Sequence, residues 1–270
     1  MSHIAGRSKH QMDFDRRSSL ISSPHPVDER LSHVPKVVSQ ICPESRLVVY
    51  SDPHSMEADK FRALRVYLSG LSKTSAVKAV MITSAVAGEG KSVASLNLAV
   101  GLAEHGGSSV MLVEADLRNP SLVKRIGIEP AKGLTHCLSD DSDPLGSVRY
   151  VSDLGIYILS AGKICTNPIQ ILNTHRFSAI VQRLRHLVDW VIFDCPPVTP
   201  VPDVLAMRGS MDGCLWVVKS DVTSRTVVEE AIGKVGRDLV LGIILNQAKV
   251  NDGVYHSYYS YEPLTLGPGS

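Results

Sequence analysis

VKAVMITSAVAGEGKSVASLNLAVGLAEH, running from Val77 to His105, passes from an apolar strand pattern through a glycine-broken turn into an apolar helix pattern. Val77, Val80, Met81, Ile82 and Thr83 predict a buried strand, and Leu96, Leu98, Val100 and Leu102 predict the helix that follows. Between them, Ala85 to Ser92 (AVAGEGKS) fits the phosphate-loop pattern G-x-x-x-x-G-K-[ST], except that Ala stands first. Gly88 and Gly90 let the backbone curl so that successive N–H groups point at phosphate oxygens. The N–H groups of Ser92 and Val93 open the helix, whose N-terminal dipole favours an anion. Lys91 can reach the β- and γ-phosphates, and the Ser92 hydroxyl can ligate Mg²⁺. A glycine-rich turn that binds nothing is the competing account. The position of the loop between a strand and a helix favours a nucleotide, ATP or GTP, held by Ala87, Gly88, Glu89, Gly90, Lys91, Ser92 and Val93.

The composition sets broad limits. With 270 residues, the chain can hold one large α/β domain plus a tail. A hydrophobic fraction of 44% supports a substantial core, and a formal net charge of +1 gives no global field to attract nucleic acid or an anionic membrane. No run of roughly 18 apolar residues is present, and no signal-peptide core stands in the first forty positions. Cys42, Cys137, Cys165, Cys195 and Cys214 are odd in number, scattered and without a C-x-x-C pair. They predict reduced, mostly buried thiols of a cytoplasmic protein rather than a disulfide frame or a zinc site.

Residues 1–45 are rich in Ser, His, Arg and Pro and poor in apolar residues, which predicts a disordered arm. Order is expected from Arg46 onwards, with LVVY and then a helix capped by Ser55 whose apolar stripe is Phe61, Leu64 and Leu68. Asp59, Arg62 and Arg65 share one broad face of that helix; an i,i+3 ion-pair set on a solvated surface accounts for them by spacing alone. Past the loop, residues 109–113 predict a second strand, leading into Glu114 and Asp116, which project to the same side. Residues 189–193 (DWVIF) predict a third strand, ended by Asp194-Cys195-Pro196-Pro197, the form of an apolar strand closed by a magnesium-holding aspartate. Each acid taken singly reads as a strand-end cap. Three of them at two strand ends, downstream of a phosphate loop, point to a metal and base cluster. The remaining alternation has strands at 157–159, 214–218 and 239–245 and helices at 167–172, 177–187 and 223–235. This predicts a doubly wound, mainly parallel sheet flanked by helices in one P-loop NTPase domain, residues 46–251, with a flexible tail at 252–270.

ITSAVAGEGKS, VMLVEADLRNP and DWVIFDCPPV together resemble the bacterial tyrosine kinases (BY-kinases), the cytoplasmic autokinases of polysaccharide biosynthesis. That family carries a Walker A loop, a Walker A′ strand ending D-x-D-x-R and a Walker B strand ending D-x-x-P-P. The resemblance covers residues 47–261. Asp59, Arg62 and Arg65 are similar to its E-x-x-R-x-x-R assembly motif, and NPIQIL (167–172) resembles its N-P-x-x-L-L segment. VLGIILNQ resembles the strand ending in an Asn near the adenine, here Asn246. Four of the eight tyrosines, Tyr255, Tyr258, Tyr259 and Tyr261, stand where the family has its phosphoacceptor cluster. The resemblance implies phosphoryl transfer from Mg·ATP to tyrosine, with Lys91, Glu114, Asp116 and Asp194 in catalysis and Ser92, Asp116 and Asp194 at Mg²⁺. It further implies a ring-like homo-oligomer, modification of the tail in trans, and recruitment to the inner face of the plasma membrane by a polysaccharide copolymerase. Two departures stand out. Glu114 replaces the first Asp of the Walker A′ motif, the position that in the family contacts Mg²⁺ and receives the tyrosine proton, so Glu114 or Asp116 accepts the proton here with family precedent for 114, and Asp59 replaces the Glu of the assembly motif. A misplacement on the order of 1 Å costs about 10²-fold in rate. The alternatives are a ParA/MinD-like switch ATPase, which usually carries an extra loop lysine absent here, and a weakly active ATP-binding adaptor.

Overall fold

The computed structural model describes residues 28–140 and 142–249; the tyrosine cluster and residues 1–27 lie outside the described residues. Its strands are β1 (Lys36–Val37), β2 (Ala79–Thr83), β3 (Val110–Glu114), β4 (Val148–Val151), β5 (Ile156–Leu159), β6 (Trp190–Asp194), β7 (Gly213–Lys219) and β8 (Val240–Asn246). The longer helices are α1 (Met56–Ser75), α2 (Lys91–Ala103), α3 (His175–Arg185) and α4 (Arg225–Val235). Among the described residues the strands form one eight-stranded sheet in the order β1-β4-β5-β3-β6-β2-β7-β8.

Period-two alternation along the strands feeds two cores. Ala79 and Met81 of β2, Met111 and Val113 of β3, and Val191 and Phe193 of β6 face the side covered by α3 and α4. Val80 and Ile82, Val110 and Leu112, and Trp190 and Ile192 face the side covered by α1 and α2. Strands buried on both faces read as continuous apolar runs, as parallel strands between helical layers must. The order of the strands matters for the site. β6 lies between β2 and β3 and is parallel to both, so the chain leaves the sheet after β2, β3 and β6 at three adjacent points on one edge.

Helix ends follow local chemistry. The Ser55 hydroxyl accepts a hydrogen bond from Ala58 N at 3.2 Å, which satisfies one of the unpaired amides that open α1. Along α1, Leu68 is fully buried and Phe61 and Leu64 pack half-buried against the second core. The α2 helix starts at Gly90, whose φ of +94° only glycine adopts without strain.

Two expectations change, and one stretch gains an element. Residues 28–45 are not a structureless arm. Leu31 and Val34 are buried, β1 pairs with β4, and Ser39 N donates to Asp153 Oδ1 at 2.9 Å. Leu31 and Val34 in one core, Val37 and Ile41 against the other, and one sheet edge dock a segment whose overall composition is polar. LVVY forms a short helical turn at Val48–Ser51. Finally, β4 is an unforeseen strand, antiparallel to β5, so the sheet is mixed at that end. The cysteines are free thiols, with Cys137, Cys195 and Cys214 buried.

Candidate nucleotide and magnesium site

The phosphate loop leaves β2 and is held from beneath by its own Glu89, which is 1% exposed. The Glu89 carboxylate accepts from Val86 N at 3.1 Å and, across the sheet edge, from Lys219 N at 3.2 Å. Its backbone carbonyl accepts from Asn246 Nδ2 at 2.8 Å. Gly88 and Gly90 have φ of +81° and +94°, and a Cβ on Gly90 would collide with the Asn246 amide. Asn246, expected near the adenine, therefore also props the loop. On the other side, Val198 N and Thr199 N donate to Ser84 O and Ala85 O at 2.9 and 3.0 Å, tying the segment after β6 to the start of the loop.

The expected carboxylates lie at adjacent strand ends, but among the described residues no three His, Cys, Asp or Glu side chains are grouped to hold one metal ion. Glu114 and Asp194 are direct register partners on β3 and β6. Beyond that pair, Ala115 N and Asp116 N both donate to Asp194 O, at 2.8 and 3.0 Å, which holds Asp116 alongside the Walker B position. Ser95 Oγ donates to Asp194 Oδ1 at 3.2 Å, whereas Asp194 Oδ2 is buried with no hydrogen-bond partner. An orphaned buried carboxylate oxygen is costly unless a cation or water meets it. Burial pushes the Asp194 carboxyl up to about 7, against the pull of the nearby Ser92 hydroxyl and the Lys91 charge. Burial also raises Asp116, opposed by the Asn119 amide and by Lys91. The donor set of one hydroxyl and two carboxylates beside a lysine suits Mg²⁺, a hard cation that keeps part of its water shell.

Glu114 is placed differently from its expected role as proton acceptor. Its Oε1 accepts from Ser121 N at 2.6 Å and from Leu122 N at 2.5 Å, and its Oε2 from Ala161 N at 3.1 Å. Burial outweighs these three donors and raises its carboxyl above the ordinary value. With three backbone donors on a side chain that is 1% exposed, this carboxylate is occupied in the fold. The extra methylene of Glu relative to Asp supplies the reach.

Arg118, the Walker A′ arginine, is taken up by Asp203, with Nε–Oδ2 at 2.7 Å and Nη2–Oδ1 at 2.9 Å, and it also donates to Thr166 O. Asp59, Arg62 and Arg65 meet a fourth residue that the sequence did not single out. Glu104, just past α2, accepts from Arg62 at 2.6 and 2.8 Å and lies 3.6 Å from Arg65. Within the chain, Arg62 pairs with Asp59 at i,i+3 spacing, 2.8 Å apart, and with Glu104, whereas Arg65 meets Glu104 rather than a residue of the motif.

A cleft of about 800 Å³ opens beside Gly88, Gly90 and Val93 and runs between α1 and the end of β8. Asn97 lines it and was not anticipated. Its side chain accepts from Val49 N at 3.1 Å and donates to Arg46 O and Val93 O at 2.9 Å, which staples the segment before α1 to α2. A single Asn inside the otherwise apolar run LNLAV was the available signal.

Comparison with known proteins bears on the family and the fold. A family model described as ParA, NUBPL iron-transfer P-loop NTPase, matches residues 75–251. The chain is similar to the tyrosine-protein kinase YwqD of Bacillus subtilis, with 30% identity over 81% of this chain and 91% of that one. It is also similar to the succinoglycan biosynthesis transport protein ExoP of Rhizobium meliloti, with 28% identity over 83% of this chain but 29% of ExoP. Among solved structures, the chimerical protein CapA2B2 superposes with a TM-score of 0.71 at 26% identity, covering 88% of this chain and 99% of that one. The chain belongs to the P-loop NTPases that the family model describes and, within them, to the bacterial tyrosine kinases.

Proposed function

We propose that this kinase transfers the γ-phosphoryl group of ATP to the tyrosines at 255–261 of a second copy of itself, in the service of capsule or exopolysaccharide assembly. The observation that carries the nucleotide reading is the orphaned Asp194 Oδ2 beside Lys91 at the foot of a glycine-shaped loop. When bound, Mg²⁺ offsets charge on the β- and γ-phosphates. Ser92, Asp116 and Asp194 hold it, Lys91 and the loop N–H groups bind the phosphates, and the 800 Å³ cleft past Val93 and Asn97 takes the nucleoside. Asp116 accepts the phenol proton as the tyrosine oxygen bonds to the γ-phosphorus and the β–γ bridging bond breaks, releasing ADP.

ExoP is named for polysaccharide transport and carries a segment like this chain within a longer protein, which supports the pathway class. No helix among the described residues is long and apolar enough to cross a membrane. By the family resemblance, a membrane copolymerase is the recruiting partner, and the kinase works at the inner face of the plasma membrane. A second reading, an ATP-binding adaptor with little turnover, draws on the engaged oxygens of Glu114. Mass spectrometry after incubation with Mg·ATP separates the two. The kinase yields phosphotyrosine that is absent from a Lys91→Met control, whereas the adaptor binds nucleotide and yields none.

A further inference from the structure

Ser121 occupies the N-cap position of the short helix Leu122–Ile126, yet its side chain makes no capping hydrogen bond. A serine there ordinarily spends its oxygen on an amide of the first turn. Here Ser121 N and Leu122 N, the amides of the N-cap and of the first helical residue, donate to Glu114 Oε1 from 2.6 and 2.5 Å, which fixes the backbone that carries the Ser121 hydroxyl. The second oxygen of Glu114 holds Ala161 N, so the carboxylate ties the ends of β3 and β5 to the start of that helix. In place of a capping bond, Ser121 Oγ donates to Ser92 Oγ at 3.2 Å. A hydroxyl has one donor and two acceptor lone pairs. With one lone pair of Ser92 taken by Ser121, the other is oriented for a single further partner.

We propose that Glu114 and Ser121 are positioning residues for the magnesium-ligating hydroxyl: Glu114 anchors the backbone that opens helix 122–126, and the Ser121 hydroxyl held there fixes Ser92. This inference rests on the magnesium site of the proposed kinase and makes Glu114 a buried support rather than the proton acceptor. Groups that orient a metal ligand are worth about 10- to 100-fold in metal affinity.

The test is a calorimetric titration of ADP binding at a series of Mg²⁺ concentrations, on the full chain and its Ser121→Ala, Ser121→Thr and Glu114→Gln variants. Melting temperature without nucleotide serves as the folding control. Ser121→Ala is expected to raise the Mg²⁺ concentration that gives half of the Mg²⁺-dependent gain in ADP affinity by about 10-fold or more. Ser121→Thr, which keeps the hydroxyl, restores the wild-type value. Glu114→Gln shifts the same midpoint, and the double variant shifts it no further than the larger single effect, because both act through one contact. Should Glu114→Gln fail to fold, the Ser121→Ala and Ser121→Thr pair decides alone, since removal of one hydroxyl leaves the Glu114 contacts in place. An unchanged midpoint in Ser121→Ala overturns the proposal. So does a Glu114→Gln protein that keeps the wild-type midpoint while losing phosphotyrosine formation, which is the behaviour of a proton acceptor. A wild-type chain that binds Mg·ADP with the predicted dependence but forms no phosphotyrosine defeats the kinase reading and leaves this inference standing.

Discussion

Asp194 shows how one side chain joins stability to function. Its folded pKa of about 7 lies above the ordinary value of 3.8 because burial disfavours the charged form. The sign follows: protonated Asp194 is favoured by the fold, so its contribution is full below about pH 4 and is lost as the pH rises through 7. In EDTA, the wild type is expected to lose stability relative to Asp194→Asn across this window, by an amount on the order of a few kcal/mol. The Asn variant is then the more stable protein at pH 8 while losing the response of nucleotide affinity to Mg²⁺. Parallel melting curves of the two proteins from pH 4 to 8 check this, and equal slopes would contradict it. At the proposed magnesium site, a bound cation would offset the cost of that buried charge.

At the scale of elements, the loops past β3, β5 and β6 are clamped to one another by polar side chains whose roles sequence could not assign. Asp203, with a side chain 1% exposed, is neutralised by the Arg118 fork. Arg118→Ala strands that carboxylate and is expected to cost about 3–5 kcal/mol in denaturant unfolding. Arg118→Lys restores little of it, since an ammonium cannot match both oxygens. Arg62→Ala likewise leaves Glu104, 14% exposed, without its bidentate partner. It should lower the unfolding midpoint more than Arg65→Ala, whose nearest Glu104 oxygen is 3.6 Å away.

The same contrast explains what was legible beforehand. β2, α2, β3 and β6 announce themselves because apolar period and glycine chemistry act within a few residues, so the loop and its three acids were readable at once. Long-range partners were not. Nothing local links Arg118 to Asp203, Arg62 to Glu104, or Glu114 to Ala161. Glu114 illustrates the limit most clearly. Its place in the motif was plain from the sequence, but its work depends on two amides seven and eight residues ahead and one across the sheet. β1 and β4 escaped for a related reason: β1 has two residues, and β4 sets half-buried Arg149 and Tyr150 between Val148 and Val151 where β5 has a continuous apolar run, while the pairing that stabilises both comes from elsewhere in the chain.

On the scale of the whole molecule, β8 ends at Asn246, against the phosphate loop, and the chain runs on toward Tyr255, Tyr258, Tyr259 and Tyr261 outside the described residues. The proposed kinase needs a second copy to receive the phosphoryl group, and α1 with Asp59, Arg62 and Arg65 is the proposed assembly surface. The most direct test mixes full-length Lys91→Met protein with an active chain ending at Asn251, adds Mg·ATP, and maps phosphotyrosine by mass spectrometry. Transfer in trans predicts phosphate on Tyr255–Tyr261 of the inactive protein, at a rate that rises with concentration and falls when Arg65 of both proteins is changed to Ala. If the inactive protein stays unmodified while full-length wild type labels itself at a rate independent of concentration, transfer between copies is contradicted.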